Sequence, residues 1–222
     1  MSESSVPKST LTGTARVEAF SDGVMAIAIT LLILNIQVPE HEPGHLLRSL
    51  GHIWPAYLAY LASFMTIGVV WMNHHTFFGR LRRIDHVLRW WNLMLLLGVS
   101  LVPFPTIVVA DALAHGSHRD AVVAVALYGI VGVIMTLPWA PMWWQLERRP
   151  EMLKAGLGPD YARRERWRAW PGLLVYAMTI GIGFLSPIIA LVLFLLVSTF
   201  YGVNNKGWSS PSDPDPDEQD ED

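Results

Sequence analysis

The sequence predicts an all-α integral membrane protein with six transmembrane helices. Of its 222 residues, 52% are hydrophobic and 16% are charged, whereas about a quarter of the residues in a soluble domain are charged. Several long stretches carry no Lys, Arg, Asp or Glu, and their lengths suit helices that cross a hydrocarbon core of ~30 Å. The basic residues also divide unevenly between the two faces of the predicted membrane, which gives the orientation.

The two ends of the chain are predicted to lie outside the membrane. Residues 1–15 are polar, lack the apolar segment of a signal peptide, and are predicted to form a disordered N-terminal lead. Residues 204–222 are rich in Pro and Asp, seven of the last ten residues are acidic, and a disordered acidic tail is predicted there. The transmembrane domain therefore extends over residues 16–203.

The first span is predicted over residues 20–38. Ile27, Leu31 and Leu34 recur in it at steps of four and three, so they share one stripe of a helix, and Thr30 lies beside that stripe. Taken alone, a stripe of Ile and Leu is typical of a surface that faces lipid or packs against another helix.

Three further spans are predicted, over residues 53–73, 90–110 and 121–144. Pro103 and Pro105 fall near the far end of the third span, where their missing backbone donors should break or bend the helix. Basic loops follow the second and the fourth span, and the second of these loops is predicted to contain a surface helix over residues 161–168.

Residues 171–203 carry no charge. As a single helix they would measure about 50 Å, which is too long for a ~30 Å hydrocarbon core. Ser186 and Pro187 lie at the middle of this stretch, so two short spans, 169–185 and 187–203, are predicted to form a tight hairpin.

The basic residues fix the orientation of these spans. With six spans and a cytoplasmic N-terminus, fourteen of the sixteen Lys and Arg residues lie on the cytoplasmic side, and only Arg48 and Arg119 lie outside. This division follows the positive-inside rule. The sequence therefore predicts a multi-pass protein of the cell membrane with both termini in the cytoplasm.

The predicted spans contain almost no chemically active groups. None has a carboxylate near its middle, as proton pumps and many ion-coupled transporters do, and no acid–base pair indicates an enzyme. The chain has no Cys, and His74 and His75 point about 100° apart on a helix, so neither a metal site nor a cofactor is predicted. Gly181 and Gly183 loosely resemble the carbonyl filter of ordinary potassium channels, but are expected to allow close helix contact instead.

Three motifs on successive spans resemble those of one family. An R-x-x-x-F-S-D motif opens the first span, a W-x-x-H-H-x-x-F motif ends the second, and in the third an Asn precedes a Leu-rich run into P-F-P-T. These motifs are residues 16–22, 71–78 and 92–106. In this order they resemble the transmembrane protein 175 family, the endosomal and lysosomal potassium channels and their bacterial homologues.

The resemblance implies a potassium-permeable channel in a bacterial inner membrane, formed by a homotetramer of six-helix units. The first helices would line a central pore without a P-loop filter. Ile27 matches the constricting hydrophobic ring, Leu31 and Leu34 match further rings, and Thr30 matches a polar ring linked to selectivity. A structural cluster that holds the first helix in place is matched by Arg16, Phe20, Ser21, Asp22, His74 and Asn92. Within this cluster Asp22 is expected to pair with Arg16.

Two other functions remain open on the residues alone. A secondary transporter would use the helix broken at Pro103 and Pro105 as part of a substrate site, although no mid-membrane carboxylate would couple it to an ion. A non-conducting scaffold would bind anionic lipid through the basic loop over residues 148–168. The lipid bilayer and potassium ions are the expected partners of the channel, and no cofactor or nucleic acid is expected.

Overall fold

A computed structural model describes residues 13–203, and its regular elements are helical throughout this range apart from one isolated bridge. The predicted lead, except residues 13–15, and the predicted acidic tail lie outside the described residues. The helices are α1 Ala15–Leu31, α2 Leu46–His52, α3 Trp54–Gly79, α4 His86–Leu101, α5 Pro103–Ala114, α6 His118–Thr136, α7 Trp139–Arg148, α8 Pro159–Leu185 and α9 Pro187–Val203, with short 3₁₀ helices at Leu32–Asn35 and Pro150–Met152.

Within the described residues, five helical segments are long and apolar enough to cross a membrane. They overlap the first five predicted spans, and α9, whose apolar part covers Pro187–Thr199, overlaps the last. The segments are Ala15–Asn35, Trp54–Gly79, His86–Ala114, His118–Arg148 and Pro159–Leu185. The all-α architecture with several apolar helices is therefore confirmed.

Two of these segments contain a break at proline. α4 ends at Leu101 and α5 begins at Pro103, as the missing donors of Pro103 and Pro105 predict. The fourth predicted span, over residues 121–144, falls within the segment His118–Arg148, in which α6 and α7 are separated at Leu137 and Pro138. Pro138 cannot donate to the preceding turn, and its effect was not anticipated.

The last two helices form an antiparallel hairpin. α8 ends before Ser186, which is extended, and α9 begins at the next residue. The rings of Tyr176 and Phe194 lie 5.4 Å apart, and these residues are nearly equidistant from the turn. The predicted surface helix over residues 161–168 is not a separate element, because α8 runs without interruption from Pro159 into the apolar stretch.

Glycine allows close approaches between helices. A methyl group at Gly98 would lie 2.5 Å from Cα of Met135, so the backbones of α4 and α6 are in contact. A methyl group at Gly183 would lie 2.9 Å from Cγ1 of Val125, whereas no neighbouring atom lies within 4 Å of the corresponding point at Gly181. Close helix contact is therefore found at Gly183 and not at Gly181.

The two basic loops are joined to each other. The backbone N–H of Arg82 donates to the carbonyl of Met152 over 2.8 Å, and the N–H of Lys154 donates to that of Arg80 over 3.0 Å. The Asp85 carboxylate is buried and caps α4 by accepting from the Leu88 N–H at 2.8 Å. It also accepts from the side chain of Gln145 on α7, and Arg149 lies 3.6 Å away.

Candidate ion pathway and its supporting network

One side of α1, continued by the following 3₁₀ helix, is exposed along its length. The exposed fractions are 61% for Ile27, 44% for Leu31 and 68% for Leu34, and Thr30 is exposed beside them. Regular helical spacing places the three apolar residues within about 60° of one another around the helix axis. We call Ile27, Thr30, Leu31 and Leu34 the exposed stripe. The opposite side of the helix is buried and consists of Ser21, Met25, Ala28 and Leu32.

Thr30 is the polar member of the exposed stripe. Its hydroxyl donates to the carbonyl oxygen of Ile27, one turn earlier on the same helix, over 2.9 Å. Because the hydroxyl proton is engaged within the helix, the lone pairs of the oxygen remain available outside it. Such an oxygen can accept from water or coordinate a cation.

The buried side of α1 is held by a hydrogen-bonded chain that joins three helices. Nδ2 of Asn92, on α4, donates to Oγ of Ser21 over 2.9 Å, and Ser21 in turn donates to the Val17 carbonyl. Oδ1 of Asn92 therefore faces Nε2 of His74, on α3, at 2.9 Å, and Nε2 is the protonated nitrogen of that ring. All three side chains are buried. The His74 ring also stacks on Phe78 with centroids 4.3 Å apart.

A second set of contacts fixes the N-terminal part of α1 to α3. The indole N–H of Trp71 donates to Oδ1 of Asp22 over 3.0 Å. One turn further, Nδ1 of His75 lies 3.5 Å from Oε1 of Glu18. The prediction did not assign Glu18, Trp71 or His75 to the cluster. One feature of the sequence could have identified these contacts. Trp71 and His75 are four residues apart, as are Glu18 and Asp22, so the two pairs can face each other across adjacent helices.

The expected pair between Arg16 and Asp22 is not formed in the described chain. Residues six apart on a helix point about 120° away from each other, and Asp22 faces Trp71 instead. Arg16 and Phe20 are exposed and lie on the same side of α1 as Ile27, so neither belongs to the buried network within one chain. Of the six residues predicted for this cluster, Ser21, Asn92 and His74 are joined by hydrogen bonds, and Asp22 bonds to Trp71 instead.

The other end of the α1 segment is also fixed. Nδ2 of Asn35, the last residue of the 3₁₀ helix, donates to the carbonyl oxygen of Pro103 over 3.1 Å. This bond joins the end of the segment to the bend between α4 and α5. Side-chain hydrogen bonds at both ends thus hold α1 in one rotation about its axis, with the exposed stripe directed away from the rest of the chain.

The exposed stripe offers no catalytic or metal-binding group. Its only polar atom is the Thr30 hydroxyl, and within residues 13–203 no cluster of three His, Asp or Glu side chains could hold a metal ion. The arrangement can present a continuous apolar surface with one oxygen per chain. Such a surface suits contact with lipid, with another chain, or with the interior of a pore.

Comparison with known proteins gives the family of the chain. The endosomal/lysosomal potassium channel TMEM175 family matches residues 16–103. A Streptomyces collinus protein described as a potassium channel is 43% identical over 190 residues, which are 85% of this chain and 91% of that protein. The chain belongs to the TMEM175 family. A second relative described as a potassium channel, from Chamaesiphon minutus, is 36% identical over 86% of this chain and 95% of its own length.

The fold of the TMEM175 family extends over most of the chain. The crystal structure of a lysosomal potassium-selective channel TMEM175 homologue from Chamaesiphon minutus aligns with a TM-score of 0.74 and 34% identity, covering 86% of this chain and 96% of that one. This chain is accordingly a multi-pass membrane protein. The TMEM175 family is a family of ion channels, which is not an enzyme class.

Proposed function

We propose that this chain is a potassium-permeable channel in which four copies enclose a central pore lined by the exposed stripe of α1. The observation that carries the proposal is the asymmetry of α1, which is hydrogen-bonded at both ends on one side and leaves an apolar stripe exposed on the other. Relatives that align over most of the chain are described as potassium channels. A fixed rotation of α1 is what a pore-lining helix requires, because each ring of the pore must be formed by the same residue of every copy.

Ile27, Leu31 and Leu34 are proposed to form successive apolar rings, of which the Ile27 ring is the constriction. An apolar ring can block ions by its width and by expelling water. A permeating cation must give up part of its hydration shell there, and potassium is held less tightly by water than sodium is. The four Thr30 hydroxyl oxygens, whose protons are engaged by Ile27, would replace part of the lost water.

The proposed orientation places both termini in the cytoplasm, with α9 as the sixth span. The antiparallel hairpin of α8 and α9 returns the chain to the side on which α8 begins. The basic loops around Arg82 and Arg163 then lie on the cytoplasmic side, as the positive-inside rule requires. Ser21 and Asp22 mark the cytoplasmic end of α1, and Asn35 marks its outer end.

Potassium flux tests the proposed constriction. The purified chain reconstituted in liposomes is expected to pass potassium in preference to sodium. Replacing Ile27 with Ser should raise the flux about tenfold or more, because a wider and more polar ring lowers the dehydration barrier by at least ~1.4 kcal/mol. Ile33→Ser is the matched control, since Ile33 is 51% exposed but lies about 120° from Ile27 around the helix.

The control variant should conduct like the unmodified protein. Equal flux through the unmodified protein and Ile27→Ser would exclude Ile27 as the constriction. Equal increases in Ile27→Ser and Ile33→Ser would show that the rotation of α1 in the assembly differs from the one proposed.

A further inference from the structure

A cavity lies within each chain on the side of α3 away from the exposed stripe. Its volume is about 200 Å³, which is more than ten times the ~10–15 Å³ that a single buried water requires. Residues of α3, α7, α8 and α9 line it together with Thr136 at the end of α6, and no residue of α1 takes part. The cavity is partly open, so it is accessible from outside the chain.

The two ends of the cavity differ in character. At one end Glu165 and Arg168, near the start of α8, form an ion pair of 3.0 Å. At the other end lie Thr66 and Ser198, whose hydroxyls are 2.9 Å apart. Valine and tryptophan side chains cover much of the wall between these ends, and they are Val69, Val70, Trp139, Trp143, Val175 and Val197. The cavity is therefore amphipathic, with a charged mouth and a mainly apolar interior.

The length of the cavity corresponds to one leaflet of a bilayer. Along α8 its lining extends from Glu165 to Tyr176, eleven residues or about 16 Å. Half of a ~30 Å hydrocarbon core is about 15 Å. Arg168 is the last charged residue before the apolar stretch that includes the rest of α8, so the mouth lies at the level of the lipid headgroups. A lipid in the same leaflet is thus positioned to insert an acyl chain.

The charged pair at the mouth favours one class of headgroup. The guanidinium of Arg168 uses one nitrogen for Glu165, and its side chain is 63% exposed, so further donors face outward. The Glu165 carboxylate, whose side chain is 14% exposed, contacts Arg168 through Oε1 and also interacts electrostatically with the Arg80 guanidinium. A headgroup with a phosphate and a primary ammonium satisfies both partners at once. A purely anionic headgroup would meet the Glu165 charge, and a trimethylated ammonium has no hydrogen to donate.

We propose that this cavity binds a phosphatidylethanolamine molecule of the cytoplasmic leaflet, with its phosphate on Arg168, its ammonium group on Glu165 and one acyl chain between α3, α8 and α9. Binding of this lipid can be measured separately from ion conduction, because the cavity and the exposed stripe share no residue. The bound lipid packs against α3, α8 and α9. It is therefore a structural ligand of each subunit.

Native mass spectrometry of the purified full chain tests the proposal. The chain is titrated with phosphatidylethanolamine, phosphatidylcholine and phosphatidylglycerol of identical acyl chains, and bound lipid is counted. Phosphatidylethanolamine should bind about tenfold more tightly than either of the others, which corresponds to ~1.4 kcal/mol. Arg168→Gln and Glu165→Gln should each remove this preference.

A filled cavity provides the second test. Gly172 lines the cavity, and no neighbouring atom lies within 4 Å of the point where its Cβ would stand, so the side chain of Gly172→Leu is expected to occupy the cavity. Gly181→Leu is the matched control, because Gly181 lies on the same helix, is equally unobstructed and does not line the cavity. Gly172→Leu should weaken phosphatidylethanolamine binding about tenfold, and Gly181→Leu should leave it unchanged.

Val197→Phe, on α9, fills the cavity from another wall and serves as a second variant if Gly172→Leu does not fold. Unchanged lipid binding in the folded filled variants would overturn the cavity as the binding site. Equal binding of the three lipids by the unmodified chain would overturn the assignment of the headgroup. Neither result depends on potassium flux, so the failure of this proposal and the failure of the channel proposal are distinguishable.

Discussion

At the scale of single residues, the hydrogen-bonded chain of Ser21, Asn92 and His74 determines how α1 sits on its neighbours. Asn92 uses both ends of its amide, one toward each partner. Because all three side chains are buried, a lost partner leaves a donor or acceptor without compensation, which costs ~1–3 kcal/mol. These hydrogen bonds therefore predict energetic coupling between His74 and Asn92, which are 18 positions apart in sequence, and between Ser21 and Asn92, which are 71 positions apart.

A double-mutant cycle measures that coupling. Asn92→Leu and His74→Leu should each destabilise the protein by ~1–3 kcal/mol, and the double variant by less than the sum, with a coupling of about 0.5 kcal/mol or more. The reason is that the second substitution removes a group that the first has already left unpaired. Unfolding of the unmodified protein and the three variants in detergent, followed by tryptophan fluorescence, gives the four free energies of unfolding that the cycle needs.

His75→Leu supplies the control cycle with Asn92→Leu. His75 is exposed and faces Glu18 rather than Asn92, so the two effects should add. If the stability effects of His74→Leu and Asn92→Leu were also strictly additive, the proposed role of the hydrogen bonds among Ser21, Asn92 and His74 in fixing α1 would be contradicted.

Only part of the hydrogen-bonded network around α1 could be predicted from the sequence. Ser21, Asp22, His74 and Asn92 could be assigned from motifs. The structure joins Ser21, Asn92 and His74 by hydrogen bonds and places Asp22 against Trp71. The partner of Asp22 could not be assigned correctly, because charge complementarity suggested Arg16 while the helical angle between the two residues opposed it. A hydrogen bond from an indole on another helix leaves no charge pattern in the sequence, so Trp71 was not identified as that partner.

At the scale of the helices, the contact between α4 and α6 depends on a missing side chain. Gly98 lets the backbone of α4 lie against Met135, and the built position of a methyl group is 2.5 Å from Cα of Met135. Since that neighbour is backbone, it cannot rotate away, and the two helices would have to separate. Helix contacts of this kind, formed by small residues, are common in membrane proteins.

Gly98→Ala is expected to lower the free energy of unfolding by about 1–3 kcal/mol, the usual cost of overpacking. Gly68→Ala, in the middle of α3, is the matched control because no neighbouring atom lies within 4 Å of its Cβ position. That control should be neutral or slightly stabilising, since Ala favours helix by up to ~1 kcal/mol. Thermal unfolding in detergent compares the two, and equal stability would contradict the backbone contact at Gly98.

The helices themselves were largely predictable, because uncharged stretches of membrane length have few alternatives. The bend at Pro103 followed from two closely spaced prolines. The break at Pro138 did not, since a single proline in a transmembrane helix is often accommodated by neighbouring groups. The continuity of α8 was also missed, because the change from a charged to an apolar sequence at Arg168 suggested a boundary that the backbone does not have.

At the scale of the whole molecule, the described residues form two kinds of exposed apolar surface. The exposed fraction of a side chain does not distinguish one kind from the other. Leu34 on the α1 segment is 68% exposed and Leu174 on α8 is 57% exposed. In the proposed assembly, Leu34 lines a water-filled pore near its outer mouth, whereas Leu174 faces the hydrocarbon of the bilayer. The chemical difference between these surroundings is access to water.

Cysteine chemistry distinguishes the two surroundings, and the chain has no native Cys to interfere. A thiol reacts as the thiolate, which forms in water and not in hydrocarbon. In a Leu34→Cys variant, a charged methanethiosulfonate reagent on both sides of the liposome should label the thiol and reduce potassium flux about tenfold, because four bulky charged groups would stand in the pore. In a Leu174→Cys variant, the same reagent should neither label the protein nor change the flux. If Leu174→Cys were labelled and Leu34→Cys were not, the exposed stripe of α1 would face lipid and another segment would line the axis of the assembly.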